Sequence, residues 1–492
     1  MSSSLPQQSD VQTQVIPRKA IYKTKGSLSN VIEKKELISY PSNSLSQLVT
    51  VGKSDTTKRI EFHLSGDCMA DFKESYFSIR MRTNKWTSYL SSDITSIIRK
   101  VQISLPSNNN QILESIDNYN CLQSIVYHCN ASDDACESSW NSGLNSMMNF
   151  NKAAGAKQAR RFLNFEEKER VFTFQLNLSG VLSNANYCPL LLFNGLKIEI
   201  FLAPASEALF YKESDEQSFD TVMSCVDAPF KKLWDDMDTA ERNAVTQALS
   251  QKLDKPSPPE AATEIQYTVS QPVFWVQTVW MTNGYISQLI KASESSSGVL
   301  FSYDTYRFNQ ITPNSPYVNF QYPDSLQNIK SIFFATFLRE KECDLHFSYC
   351  ANALRNFTFR IGSRIFNLVD NENPAFSYTN LLLALGKLGS YHSSALTHSN
   401  YPRSKNALVY DFQTARDESK HSNSGLNSTN GNSLRLELNF HNSVTESVAS
   451  PTDNSNLCTL KKVHGYQDVH LNSFLMFSKH MRINASGILI VE

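Results

Sequence analysis

Apolar residues recur at every second position, in short runs separated by polar turns, over most of this chain. Ile60, Phe62 and Leu64 alternate with Arg59, Glu61 and His63, and Leu196, Ile198, Ile200 and Leu202 are interleaved with Lys197 and Glu199. Over Val171 to Leu178, Phe172, Phe174, Leu176 and Leu178 take one side and Thr173, Gln175 and Asn177 the other, without a break. Leu434, Leu436, Leu438 and Phe440 repeat the pattern late in the chain against Arg435, Glu437 and Asn439. Successive side chains of an extended strand point to opposite faces, so period two means strands with one face buried and one wet. The 29 Phe and 20 Tyr suit such strands.

Further strands are expected from Ser75 to Trp86, from Glu264 to Gly284, from Gly298 to Asn309 and over Phe357 to Ile361. IKSIFFATFL at 329 to 338 is apolar almost throughout, as a strand buried on both faces must be. PLLLFNG at 189 to 195 leads into the 196 to 202 strand and reads as the final hairpin of a first sandwich. The chain closes on a last hairpin of 469 to 477 with 481 to 491.

Helical spacing interrupts this pattern in three places. One helix is expected around Gln111 to Tyr127, and another at Phe376 to Leu388, where Gly389 would cap it. The third lies in 228 to 254, where Phe230, Leu233, Trp234, Met237, Ala244, Ala248 and Leu249 recur at three- and four-residue spacing until KPSPPE at 255 to 260 stops the helix. It is either an interface-making insertion or a helix packed between two domains. Residues 415 to 433 are rich in Asn, Ser and Gly with almost nothing to bury, and are expected to form a mobile loop.

A chain of 492 residues exceeds what one hydrophobic core supports. The expected division is an arm over 1–45, a first sandwich over 46–210, a helical linker or insertion over 211–263 and a second sandwich over 264–492. The fold class is all-β: two tandem antiparallel β-sandwiches with helical insertions in loops and between domains. No literal short repeat is visible, which disfavours propellers and solenoids.

With 46 Lys and Arg against 47 Asp and Glu, the chain has no basic excess with which to coat nucleic acid. Its nine cysteines (Cys68, Cys121, Cys129, Cys136, Cys188, Cys225, Cys343, Cys350, Cys458) are odd in number and never form CxxC, which reads as free thiols of a reducing compartment. The N-terminus has no apolar core of signal-peptide length, and no run approaches the roughly 18 apolar residues that span a bilayer.

The motifs of serine hydrolases, zinc proteases, P-loop enzymes, kinases and dinucleotide-binding enzymes are missing, and no two of the ten histidines stand at HxH or HxxxH spacing. Glu213, Asp215, Glu216 and Asp220 could offer a divalent cation oxygen ligands, but a solvated linker explains them without a Gly-centred loop. Lys157, Arg160, Arg161, Lys168 and Arg170 are interrupted by Glu166, Glu167 and Glu169, which makes a mixed-charge loop. Arg18, Lys19, Lys23 and Lys25 in the arm are the better candidates for touching nucleic acid or an anionic membrane. No catalytic, cofactor-binding or metal-binding residue is assigned, no cofactor is implied, and the chain is not expected to be an enzyme.

One long segment, FTFRIGSRIFNLVDNENPAFSYTNLLLALGKLG at 357 to 389, resembles the major capsid proteins of polinton-like viruses, virophages and related double-stranded DNA viruses of the double jelly-roll lineage. There a strand ends in an R-[IV]-G-[ST] turn and passes through a Pro-containing stretch to a helix with the character of Tyr378, Asn380, Leu381 and Leu385. PLLLFNGLKIEIFLA (189 to 203) is similar to the close of that family's first jelly roll. SPYVNFQYPDSLQNIKSIFFATFLRE (315 to 340) and the terminal MRINASGILIVE add to the likeness, whereas the 211 to 263 insertion departs from it.

The resemblance implies a double jelly roll, a homotrimer whose six sandwiches form a pseudo-hexagonal capsomer, and an icosahedral shell tiled by such capsomers. It implies neighbouring capsomers, penton and minor capsid proteins as partners, arm contact with genome or internal membrane, and a place in the virion after synthesis inside the host cell. The helices at 111 to 127, 228 to 254 and 376 to 388 are expected at contacts between subunits or between capsomers. The alternative is a tandem β-sandwich binding protein, either a receptor-binding or lectin-like module or a minor capsid protein.

Overall fold

The computed structural model describes residues 31–84, 89–130, 170–210, 264–338, 353–370, 378–382, 407–412, 426–442 and 465–491, apart from gaps of one to four residues within these spans. The first half runs β1 (Ile32–Pro41), β2 (Leu48–Val51), β3 (Arg59–Leu64), β4 (Met69–Thr83), β5 (Tyr89–Leu90), β6 (Ile98–Leu105), β7 (Gln111–Asp117), helix α1 (Tyr119–Asn130), β8 (Arg170–Phe174), β9 (Leu196–Leu202), β10 (Leu209–Phe210) and β11 (Tyr267–Met281). Helix α2 (Asn283–Glu294) leads to β12 (Val299–Ile311), β13 (Tyr317–Gln321), β14 (Ile329–Leu338), β15 (Leu354–Ile361), β16 (Arg364–Ile365), β17 (Val369–Asp370), β18 (Ala407–Asp411), β19 (Leu434–Phe440), β20 (Val469–Asn484) and β21 (Gly487–Val491).

Every paired strand is antiparallel. In the first sandwich the sheet β1-β11-β4-β8, with β2 also on β11, faces the sheet β3-β9-β6-β7. Aromatics join them: Phe62 of β3 meets Phe77 of β4 at 5.4 Å and Phe274 of β11 at 6.2 Å, and Phe77 stacks on Phe274 at 4.0 Å. In the second sandwich the sheet β12-β20-β14-β18, extended by β21, faces β13-β19-β15-β16, with β17 also on β15. Phe334 of β14 packs edge-on against Phe357 and Phe359 of β15 at 4.8 and 6.2 Å. A two-stranded ribbon, β5 with β10, completes the described sheets. The architecture is the all-β tandem sandwich expected from the alternation.

Several local expectations are corrected. Residues 32–41 are a strand, not an arm: β1 runs along β11 from Ile32↔Met281 to Pro41↔Val273. That partner strand, read as the start of the second sandwich, also pairs with β4 over Tyr267↔Thr83 to Val279↔Met69, so its hydrogen bonds lie in the first. The helix expected from Gln111 begins only at Tyr119, because 111–117 pairs with β6 from Leu105↔Gln111 to Lys100↔Asp117. Asn118, in the left-handed region at φ 50°, turns strand into helix.

The clean run to Leu178 leaves the ladder after Phe174, although Leu176 and Leu178 stay buried. Burial alternates there without strand pairing, and the Gln175 side chain donates instead to the carbonyls of Lys73 and Ser75. Residues 190–193 are one helical turn, not a hairpin arm. Asn194 at φ 52° and Gly195 at φ 101° cap that turn and start β9; a Cβ on Gly195 would stand 2.7 Å from the Leu64 carbonyl oxygen. The last hairpin is present, but its first strand runs unbroken from Val469 to Asn484.

In the expected loop at 415 to 433, Leu426 bridges to Ile329, and Ser428 is buried, accepting from the Leu326 amide through its hydroxyl. Of the helix expected at 376 to 388, Tyr378, Thr379, Leu381 and Leu382 are described and are helical, with Leu381 buried. The helix expected at 228 to 254 lies outside the described residues.

Candidate functional site

The two sandwiches share a packed junction, and its origin lies in the pattern of β14. Ile332 and Phe334 belong to the second sandwich's own core, whereas Phe333, Ala335 and Phe337 join the core that contains the first sandwich. Neighbouring strands split in the same way: Leu475 against Phe474 on β20, and Leu408 against Val409 on β18. A sheet with both faces buried has no wet side to mark with polar residues, which is why IKSIFFATFL does not alternate.

Strand β12, at the edge of that sheet, carries the polar part of the junction. Phe301 meets Phe193 edge-on at 6.2 Å. The carbonyl of Ser302 accepts from Asn184 Nδ2 at 2.8 Å. Tyr303 donates its hydroxyl to the Leu113 carbonyl at 2.6 Å. The Asp304 backbone lies against Gly180, and the buried Thr305 faces the Glu114 carboxyl. Five consecutive residues of one strand therefore reach the first sandwich, Phe301, Tyr303 and Thr305 through side chains on one face and Ser302 and Asp304 through the backbone. Below them Asn472 Nδ2 of β20 donates to Cys121 Sγ of α1 at 3.7 Å.

Glu114 is a fully buried carboxyl group of this junction, on β7 at 1% exposure. It accepts from the Ser179 hydroxyl, from the Gly180 amide at 2.8 Å and from the Val181 amide at 3.4 Å. Burial raises its pKa, opposed by the donors from Ser179, Gly180 and Val181. A carboxyl group reaches this position because β7 carries an irregularity opposite Ile103 and Ser104, so that Leu113 and Glu114 both turn inward and Ile112 is left exposed. On the β12 side, Asp304 is held by Lys330 Nζ at 2.7 Å and the Ser478 hydroxyl at 2.7 Å.

The outward sheet faces differ from the junction. Across β3 and β9, Arg59 bonds Glu61 at 2.6 Å and Lys197 bonds Glu199 at 3.0 Å, with cross-links at 3.5 and 3.7 Å. Across β15 and β19, Arg360 bonds Glu437 at 2.6 Å and Asn439 donates to Asn356 at 2.6 Å. These are charge-balanced faces on which the carboxylates, Glu199 among them buried, lie beneath the cationic side chains that pair with them.

Three of the described histidines stand apart from one another. His63 is exposed near Glu61, His470 is buried against Phe337, and His480 Nδ1 lies 2.8 Å from the Ser302 hydroxyl, each on separate business. Burial lowers the pKa of His480. Among the described residues no group of three His, Cys, Asp or Glu side chains could hold a metal ion, and no helix is long and apolar enough to cross a membrane. Glu213, Asp215, Glu216 and Asp220, the arm cations and Trp234 lie outside the described residues, as do Lys157, Arg160, Arg161 and Lys168. Arg170 opens β8.

Glu114, Gly180 and Asn184 were not singled out from sequence. A carboxylate within an apolar strand, five residues before a helix, is the one signal that could have drawn notice to the first of them.

No protein-family model and no curated protein matches the chain. Solved structures do. The crystal structure of VP54 from PBCV-1, fitted into a reconstruction of the virophage Sputnik, superposes with a TM-score of 0.55 at 10% identity, covering 96% of this chain and 99% of that one. A quasi-atomic model of the PBCV-1 capsid gives 0.52 at 10% identity over 96% and 99%. The cryo-EM structure of the Sputnik virophage gives 0.50 at 8% identity over 100% and 93%. The chain has the double jelly-roll fold of these capsid structures.

Proposed function

We propose that this chain is a structural major capsid protein. Three copies associate into a capsomer in which six jelly rolls present a pseudo-hexagonal outline, and capsomers tile an icosahedral shell. The observation that carries the reading is the pair of sandwiches joined by one continuous core, superposing end to end on capsid structures. Two sandwiches held at a fixed angle make one chain two similar legs, so a threefold assembly acquires a nearly sixfold footprint. Its work is interface burial rather than chemistry, and its place is the virion.

In this reading the first jelly roll comprises β1 to β11 and the second β12 to β21, with α2 as the connection, a division that follows hydrogen bonding rather than sequence order. Neighbouring capsomers and penton and minor capsid proteins are the partners. We propose that the cations Arg18, Lys19, Lys23 and Lys25, which precede β1 in sequence, contact a genome or internal membrane beneath the shell. The test is the mass of the purified protein by light scattering: three times the 55.6 kDa chain mass is expected, and a stable monomer would contradict the reading.

A further inference from the structure

We infer that the loop at 179–184 is a latch that sets the angle between the two sandwiches, and that assembly depends on that angle. The loop is anchored on the first sandwich and inserted against the second. Its anchor is Glu114, which gathers the Ser179 hydroxyl and the Gly180 and Val181 amides. Ser179 Oγ in turn accepts from the Leu182 amide at 3.2 Å, and Ser183 donates to the Ser179 carbonyl at 2.6 Å, so the loop is braced internally.

Its tip is Gly180. A Cβ there would stand 1.7 Å from the Asp304 carbonyl oxygen and 2.7 Å from the carbonyl carbon. The obstacle is the backbone of β12, which is hydrogen-bonded to β20 along its whole length from Val299↔Ile483 to Ile311↔Leu471 and cannot yield alone. Any side chain at 180 must therefore move the second sandwich's sheet as a body or pull the loop from Glu114. At its far end Asn184 is held in an Asx turn by the Asn186 amide at 2.9 Å while its Nδ2 grips the Ser302 carbonyl. Two contacts to the β12 backbone, two residues apart, fix both distance and direction.

The assembly half of this inference rests on the capsomer reading, and the test separates the two. Gly180→Ala is compared with the natural protein by amide hydrogen exchange and by mass. The latch predicts exchange faster by about tenfold or more in β12 and 179–184, with β3, β9, β15 and β19 unchanged, and loss of the trimer. Natural exchange in β12 would overturn the latch; faster exchange with an intact trimer would overturn its link to assembly. If Gly180→Ala unfolds both sandwiches, Asn184→Ala decides, since it removes the bond to the Ser302 carbonyl together with the local Asx turn and adds no bulk: selective loosening of β12 supports the latch and unchanged exchange overturns it. A natural protein that is monomeric counts against the capsomer alone and leaves the exchange comparison valid.

Discussion

Strands β14 and β19 lie in opposite sheets of the same sandwich, and their sequences obey different rules. On β19 inward Leu434, Leu436, Leu438 and Phe440 alternate with Arg435, Glu437 and Asn439, because one face meets the core and the other water. On β14 Phe333 and Phe334, adjacent in sequence, are both buried, at 7% and 0% exposure, because the second face meets the other sandwich. Loss of alternation in an antiparallel strand therefore marks where two sandwiches join, and retained alternation marks where one ends.

If the junction is a true core, truncation on either face of β14 is costly. Phe334→Ala is expected to cost about 3–5 kcal/mol and Phe333→Ala, which leaves Tyr306 without its edge contact, about 2–4 kcal/mol. Denaturant midpoints measure both; a negligible cost at Phe333 would reduce the junction to a surface contact.

The next largest effect is at Glu114. Glu114→Ala leaves the half-buried Gly180 amide and the buried Val181 amide without their acceptor, at about 2–4 kcal/mol in the same assay. Because burial raises this carboxyl's pKa in the folded protein, its stabilising share is full below the usual carboxylate range and is lost as pH rises through the raised value. The natural protein should therefore show a fall in stability with pH that Glu114→Ala lacks, measured as the difference between the two midpoints across a pH series.

On the wet face of β19 the same treatment should do little: a double-mutant cycle on Arg360 and Glu437 is expected to return under about 1 kcal/mol. The smallest effect is chemical. Cys68, Cys121 and Cys188 are buried, and burial, with Asp67 adding to it, pushes the Cys68 thiol up to about 11. At neutral pH these three should resist alkylation in the folded protein and react after denaturation, as peptide mass mapping would show.

Much of this was legible from period-two spacing. The strands β3, β9, β12 and β19, the doubly buried β14 and the tandem sandwich follow from alternation or its loss. Pairing between distant segments was not: β1 joins β11 across more than two hundred residues, and nothing local in IEKKELISYP says so. Residues 111–117 looked helical because Ile112, Leu113 and Ile116 fit a helical face as well as an irregular strand, and pairing with β6 decided the matter. The junction was the least legible part. Gly180 matters through the carbonyl it admits, and Glu114 through donors some 65 residues away, so neither leaves a pattern in its own neighbourhood.

The most direct test of the central claim is the shape of the purified particle in negative-stain class averages. Two locked, similar sandwiches per chain predict a threefold particle with a nearly hexagonal outline and six evenly spaced lobes. A particle with three lobes, or one whose lobes vary in relative position from image to image, would contradict it.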